Sequence, residues 1–233
     1  MNVIITGGSK GIGLGIADYL VQQGMNVAIT GRNTSSLVDA EYSLKSHGKG
    51  KVLSFQADVR DMDEMTDMAN AVAKAWGGID VLVANAGIGH FGSIEDLSLD
   101  QWQETMDINL TGVFISIKAC LAQLKASQGY IITISSLAGT NFFAGGAAYN
   151  ASKFGLTGFT QSVMLDLRSK GIKALTIMPG SVTSYFNGHT PSESDAWKIQ
   201  PEDLGELVYD VLQLNPRTLP SKIEVRPSMP PKK

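Results

Sequence analysis

The sequence predicts an α/β fold: one doubly wound domain in which about seven parallel strands carry helices on both faces. Three observations predict it. Short β-branched runs alternate with longer helical patterns along the whole chain, the rhythm of repeated βαβ units. The first run passes directly into a glycine-rich turn and an apolar-periodic helix. The 233 residues, 43% apolar and 18% charged, are enough for one such core and carry no compositional mark of disorder.

The strands are expected at residues 3–6, 26–30, 51–56, 80–84, 130–135, 173–178 and 222–226, each a compact apolar run bounded by polar or turn residues. Between them, residues 11–23, 61–76, 99–125, 149–170 and 202–214 repeat apolar positions at helical spacing and would cover both sheet faces. The stretch from Gly180 to Pro201, rich in Ser, Thr, Gly and Pro, reads as a loop beside a site, with residues 184–200 as the substrate loop. The tail from Pro227 to Lys233 is expected to fray.

Composition narrows the function classes. A formal charge of -3 with scattered lysines and arginines offers no footprint for nucleic acid or an anionic membrane. No signal-peptide pattern follows Met1, and no apolar stretch is read as long enough to cross a bilayer. The single cysteine, Cys120, cannot form an internal disulfide and fits a reducing compartment, so a cytoplasmic protein is expected. The three histidines, His47, His90 and His189, are isolated, and no metal site is expected. A small molecule is the expected partner.

The first strand ends in Thr6-Gly7-Gly8-Ser9-Lys10-Gly11-Ile12-Gly13. Glycine in such a turn permits positive φ, and its missing Cβ lets backbone N–H groups and a helix N-terminus approach a pyrophosphate. This is the signature of a Rossmann-type dinucleotide site. After the second strand, where a carboxylate would select NAD, stand Gly31-Arg32-Asn33. A guanidinium there can hold a 2′-phosphate with two charge-assisted hydrogen bonds, and Lys10 can add a second positive charge. NADP(H) is therefore the expected cofactor.

At the other end, Tyr149 and Lys153 stand four apart in a helical pattern, so their side chains share a face. A neighbouring ammonium and the positive charge of an oxidised nicotinamide would favour the phenolate and bring the phenol toward working pH. The pair follows a strand ending in Ser135-Ser136, across the sheet's switch region from the glycine turn. Asn109 is a polar residue inside an apolar helical segment, where asparagine is mildly unfavourable without a specific role.

These motifs, in this order, resemble the short-chain dehydrogenase/reductase family. Asp58-Val59, Asn85-Ala86-Gly87, Asn109, Ser136, Tyr149-Asn150-Ala151-Ser152-Lys153 and Pro179-Gly180-Ser181-Val182-Thr183 follow the glycine turn in register with the predicted strands. The resemblance implies a hydride transfer between the nicotinamide and a carbonyl or alcohol. It implies Tyr149 as proton donor and acceptor, Lys153 as its electrostatic tuner and ribose ligand, Ser136 as hydrogen-bond donor to the substrate carbonyl, and Asn109 as holder of a water leading to Lys153. It also implies adenine contacts from Asp58 and Val59, Asn85 near the adenine ribose, Pro179-Gly180 beneath the nicotinamide, and Val182 and Thr183 on its carboxamide. Homodimers or homotetramers through the helices containing Asn109 and Tyr149 are implied too.

Two other readings stand beside it. A 3-oxoacyl-carrier-protein reductase would carry the same motifs, but the loop from Gly180 is short and the last strand ends Lys222-Ile-Glu-Val-Arg226-Pro227 without a Gly-Gly close. An NADP-sensing protein without catalysis is the second, and it would need none of Ser136, Tyr149, Lys153 and Asn109. Specificity is expected in Thr140 to Ala147 and in Tyr185, Phe186 and Trp197.

Overall fold

The computed structural model describes residues 1–46 and 49–229. His47 and residues 230–233 of the tail expected to fray lie outside the described residues. Seven strands are described in one sheet: β1 (Asn2–Thr6), β2 (Asn26–Gly31), β3 (Val52–Gln56), β4 (Val81–Ala84), β5 (Tyr130–Ile134), β6 (Lys173–Pro179) and β7 (Lys222–Val225). Their order is β3-β2-β1-β4-β5-β6-β7, and every pairing is parallel. Parallel strands buried on both faces read as continuous apolar runs, which is why the expected bounds lie within a residue of the observed ones.

Alternation along each strand splits the core in two. Val3, Ile5, Val27, Ile29, Val83 and Ile132 face one side, packed by α1 (Gly11–Gln22), α2 (Thr34–Ser46) and α7 (Pro201–Gln213) through Ile16, Leu20, Leu37, Leu44 and Val208. Ile4, Ala28, Leu82 and Ile131 face the other, covered by α3 (Met62–Trp76), α5 (Gly112–Ser127) and α6 (Ala147–Leu167) through Met65, Val72, Leu124 and Leu156. Local chemistry starts and stops these helices. Asp61 accepts from the backbone N–H groups of Asp63 and Glu64 at the start of α3, and Gly77 takes the left-handed conformation at its end.

Three expectations change. Helix α2 lies where no helix was read, because only Leu37, Ala40 and Leu44 are buried and the remaining positions carry little apolar pattern. The single helix expected over 99–125 is α4 (Leu99–Met106), a π-helical turn (Asp107–Thr111) and α5. By length and composition, Leu99–Ser127 would suffice to span a bilayer, contrary to the expectation that no stretch reaches that length. Half of its most apolar window is buried inside the fold, against the sheet and α3. The stretch from Gly180 to Pro201 contains short 3₁₀ turns at Phe186–Gly188 and Glu193–Asp195, with a bridge between Val182 and Ile199 tying its ends.

The strand order reverses at β1, which pairs with β2 on one side and β4 on the other, and the crevice beyond their carboxyl ends is where such sheets bind ligands. Side chains hold that crevice in shape. The Thr6 hydroxyl accepts from the backbone N–H groups of Asn85 and Ala86, each at 3.1 Å. The Asn85 amide donates back to the carbonyls of Thr6 at 3.0 Å and Gly7 at 3.1 Å. Two strand ends distant in sequence are thus stitched into one wall.

Candidate active site

A cleft of about 860 Å³ runs across the carboxyl ends of the strands. At one end the glycine turn opens α1, and Gly7 and Gly11 take φ of 65° and 57°, the left-handed region expected of them. Gly13 lies beneath the turn rather than in the cleft. A Cβ there would stand 2.3 Å from the Gly7 carbonyl oxygen and 2.5 Å from Asn85 Nδ2, so only glycine lets helix, turn and Asn85 meet.

Gly7, Ser9, Lys10, Gly11 and Ile12 all line this end, with Arg32, Asn33, Asp58 and Val59 beside them. Lys10 and Arg32 are both exposed to solvent. The Asn33 side chain accepts from Ser36 N–H at 2.9 Å and Ser35 Oγ at 2.7 Å, so it caps α2, a use that the expected cofactor contact did not foresee. The Asp58 carboxylate is gripped by the Arg60 guanidinium, which holds its pKa below the ordinary value. Thr30, missed in the sequence, also lines the cleft, and its buried hydroxyl has no hydrogen-bond partner among the described residues.

The middle of the cleft is walled by Asn85, Ala86 and Gly87 and by Pro179, Gly180 and Val182. Thr183 falls outside that lining. Its hydroxyl donates to the Asp195 carbonyl at 3.3 Å, and it faces the neighbouring groove.

At the far end Ser136, Tyr149 and Lys153 come together in the cleft, although they were read from two separate segments. Ser136 follows β5 and caps the turn Leu137–Gly139, its Oγ accepting from Ala138 N–H at 3.1 Å. Tyr149 and Lys153 lie on the first turns of α6. Lys153 is 4% exposed, and its ammonium donates to the Ile134 carbonyl at 3.0 Å, with Nζ 5.7 Å from the centre of the Tyr149 ring. Burial lowers the Lys153 pKa to about 8.

Burial also raises the Tyr149 phenol above its ordinary value, and the hydrogen bond with Ser136 pulls it back only in part. The expectation of a phenol brought toward working pH rests on the ammonium together with the charge of an oxidised nicotinamide, and within this chain alone burial outweighs the neighbours. The charges of this chain leave it a neutral acid.

Asn109 is fully buried in the π-helical turn and does not line the cleft. Its Oδ1 accepts from Ile88 N–H at 2.8 Å, and its Nδ2 donates to the Ile88 carbonyl at 2.9 Å and to Ser152 Oγ at 3.0 Å. The side chain therefore fastens the loop after β4 to α6. Among the described residues no cluster of three or more metal-ligating side chains occurs.

A dinucleotide crevice with a serine, tyrosine and lysine converging at one end defines an oxidoreductase of the α/β class. The chain belongs to the short chain dehydrogenase family, whose model matches residues 1–195. It is 38% identical to trans-4-hydroxycyclohexanecarboxylate dehydrogenase of Sinomonas cyclohexanicum over 77% of this chain and 71% of that one. It is 36% identical to a 3-oxoacyl-[acyl-carrier-protein] reductase of a Synechocystis strain, over 78% and 74% respectively. The solved structure of an alcohol dehydrogenase from Thermococcus sibiricus, complexed with 5-hydroxy-NADP, superposes with a TM-score of 0.92 at 26% identity, covering 100% of this chain and 99% of that one.

The buried ammonium generates a pH prediction. Lys153 ordinarily titrates at 10.5, and in the folded chain at about 8. Between those values the unfolded chain holds a proton that the folded chain lacks, so the penalty is full below pH 8 and fades as pH rises toward 10.5. The stability of the wild type relative to Lys153→Met, from urea unfolding, should therefore rise across this window by up to about 3 kcal/mol. A difference independent of pH contradicts the buried charge.

Proposed function

We propose that this chain is an NADP(H)-dependent oxidoreductase that moves a hydride between the nicotinamide and the carbon of a carbonyl or secondary alcohol, with Tyr149 as its acid/base group. The observation that carries the reading is the meeting of the Tyr149 and Ser136 hydroxyls beside the buried Lys153, in the same cleft as the glycine turn and Arg32.

The residues present fit the dinucleotide. The turn backbone at Gly7 and Gly11, the orphaned Thr30 hydroxyl and the exposed cations Lys10 and Arg32 suit a diphosphate, a ribose and a 2′-phosphate in turn. Ser9, Gly11 and Ile12 would hold the diphosphate, Asp58 and Val59 the adenine, Asn85, Ala86 and Gly87 the ribose side, and Pro179, Gly180 and Val182 the nicotinamide. The NADP analogue in the Thermococcus sibiricus structure supports this choice. When bound, NADPH supplies the hydride.

Tyr149, a neutral phenol in this environment, donates its proton to the carbonyl oxygen during reduction. The Ser136 O–H, which meets the Tyr149 phenol in this chain while its oxygen accepts from Ala138 N–H, would turn to the substrate oxygen and stabilise charge developing there. Lys153 offsets the charge left on the phenolate. Asn109 acts at a distance, fixing the loop after β4 against α6. Residues 184–200 serve as the substrate loop, and one domain carries both cofactor and substrate sites. A 3-oxoacyl thioester is the second substrate class, supported by the Synechocystis relative.

We also propose a homodimer or homotetramer through the outer faces of α5 and α6, where Phe114, Phe154 and Leu165 are exposed, in the cytoplasm, where the lone buried Cys120 stays reduced. Light scattering that finds only a 24.8 kDa species contradicts the assembly.

With NADPH and a reactive diketone such as 2,3-butanedione, Tyr149→Phe should lower turnover roughly 10²–10⁴-fold while nicotinamide fluorescence still reports binding. A variant that keeps most of the wild-type rate excludes Tyr149 as the acid. NADPH binding without turnover of any carbonyl by the wild type would instead favour a sensor.

A further inference from the structure

We propose that Phe91, Phe143 and Phe186 form a ring-recognition box against Tyr149, selecting uncharged ketones that carry an aryl group beside the carbonyl, with Phe91 as the specificity-determining residue. This deepens the reading of Tyr149 as the acid/base group and rests on it.

The three phenylalanines come from three separate segments: the loop after β4, the stretch before α6 and the loop after β6. The Phe91 ring stands edge-on to Tyr149, with centroids 5.2 Å apart and planes at 62°. Phe186 lies 5.6 Å from the Tyr149 ring and 6.2 Å from Phe91, and Phe143 lies 6.0 Å from Phe91. Phe91 therefore touches every other ring of the group.

Its placement is built into the backbone. A Cβ on Gly89 would come within 2.7 Å of Phe186 and 2.8 Å of Phe91, so that glycine lets both rings close over the loop. Gly92 N–H donates to the Gly145 carbonyl at 2.8 Å, and Gly92 bridges Gly146, which ties Phe91 to the segment bearing Phe143. On the residue before Phe91, His90 Nε2 meets Glu104 of α4 at 2.8 Å and anchors the loop from its other side.

Despite this support, Phe91, Phe143 and Phe186 remain 41%, 49% and 37% exposed. Apolar surface gathered beside a proton donor is surface that a ligand can cover.

Charge argues for the class of ligand. Among the described residues of the cleft, Lys10, Arg32 and Asp58 belong to the glycine-turn end, and Lys153 is spent on the Ile134 carbonyl. Lys198 and His189 are both held by the Asp195 carboxylate, at 2.5 Å and 2.6 Å. No free cation is thus left to receive a carboxylate or phosphate near the rings. What the rings do offer is a set of inclined faces and edges, the arrangement that attracts another aromatic ring.

The test compares 1-phenyl-1,2-propanedione with 2,3-butanedione, each with NADPH. The wild type should favour the phenyl substrate by roughly tenfold or more in kcat/KM, an extent within reach of one well-packed aromatic contact. Phe91→Ala should bring that ratio close to one, chiefly through KM of the phenyl substrate. Phe91→Leu, which keeps apolar bulk without a ring, should fall between.

A ratio near one in an active wild-type enzyme overturns the box and leaves the acid/base reading standing. So does a Phe91→Ala enzyme that is slower on both substrates with an unchanged ratio. Absence of turnover of either diketone by the wild type overturns the box, and the acid/base reading falls with it when a 3-oxoacyl thioester is not reduced either.

Discussion

An ammonium group removed from water has to be compensated by what surrounds it, and in this fold the compensation organises the catalytic end. Lys153 is buried at the start of α6, where its charged form is disfavoured enough to bring its pKa to about 8. Its ammonium donates to the carbonyl of Ile134, the last residue of β5. That bond fixes the first turns of α6 against the carboxyl end of β5 and sets Tyr149, one turn earlier, beside Ser136. Asn109 reinforces the same junction from behind through Ile88 and Ser152.

The cofactor end is held by a second junction of the same kind. Thr6 and Asn85 exchange hydrogen bonds across the carboxyl ends of β1 and β4, where the strand order reverses. Because the glycine turn leaves β1 and the loop bearing Phe91 leaves β4, one short set of polar contacts spaces the two halves of the cleft. Both junctions are polar contacts inside an apolar fold, and both would cost more broken than they contribute when made.

Much of this was legible in the residues, and the rest was not for identifiable reasons. The strands announced themselves because parallel strands buried on both faces leave continuous apolar runs, as in Val27-Ala28-Ile29 and Tyr130-Ile131-Ile132. Gly7, Gly11 and Gly13 were legible because close packing and positive φ leave few other choices. Helix α2 was hidden by its sparse apolar stripe. The π-helical turn was hidden because a shift from i+4 to i+5 bonding has no residue pattern, although Asn109 in an apolar segment marked its place. Asn33 lies in its expected surroundings and Thr183 faces the neighbouring groove instead, and the partners of both are set by turns that form only in the folded chain. Phe91 sits in an aperiodic loop, and only the fold brings it to Tyr149.

Within this chain alone, burial keeps the Tyr149 phenol above its ordinary pKa, so lowering it falls to the positive charge of an oxidised nicotinamide bound beside it. Carbon-13 NMR of tyrosine labelled at Cζ, with the Tyr149 resonance assigned by its loss in Tyr149→Phe, follows that titration directly. Without cofactor the resonance should titrate above pH 10, and with saturating NADP⁺ its midpoint should move down. An identical midpoint in both states would show that Tyr149 and the dinucleotide do not share a site.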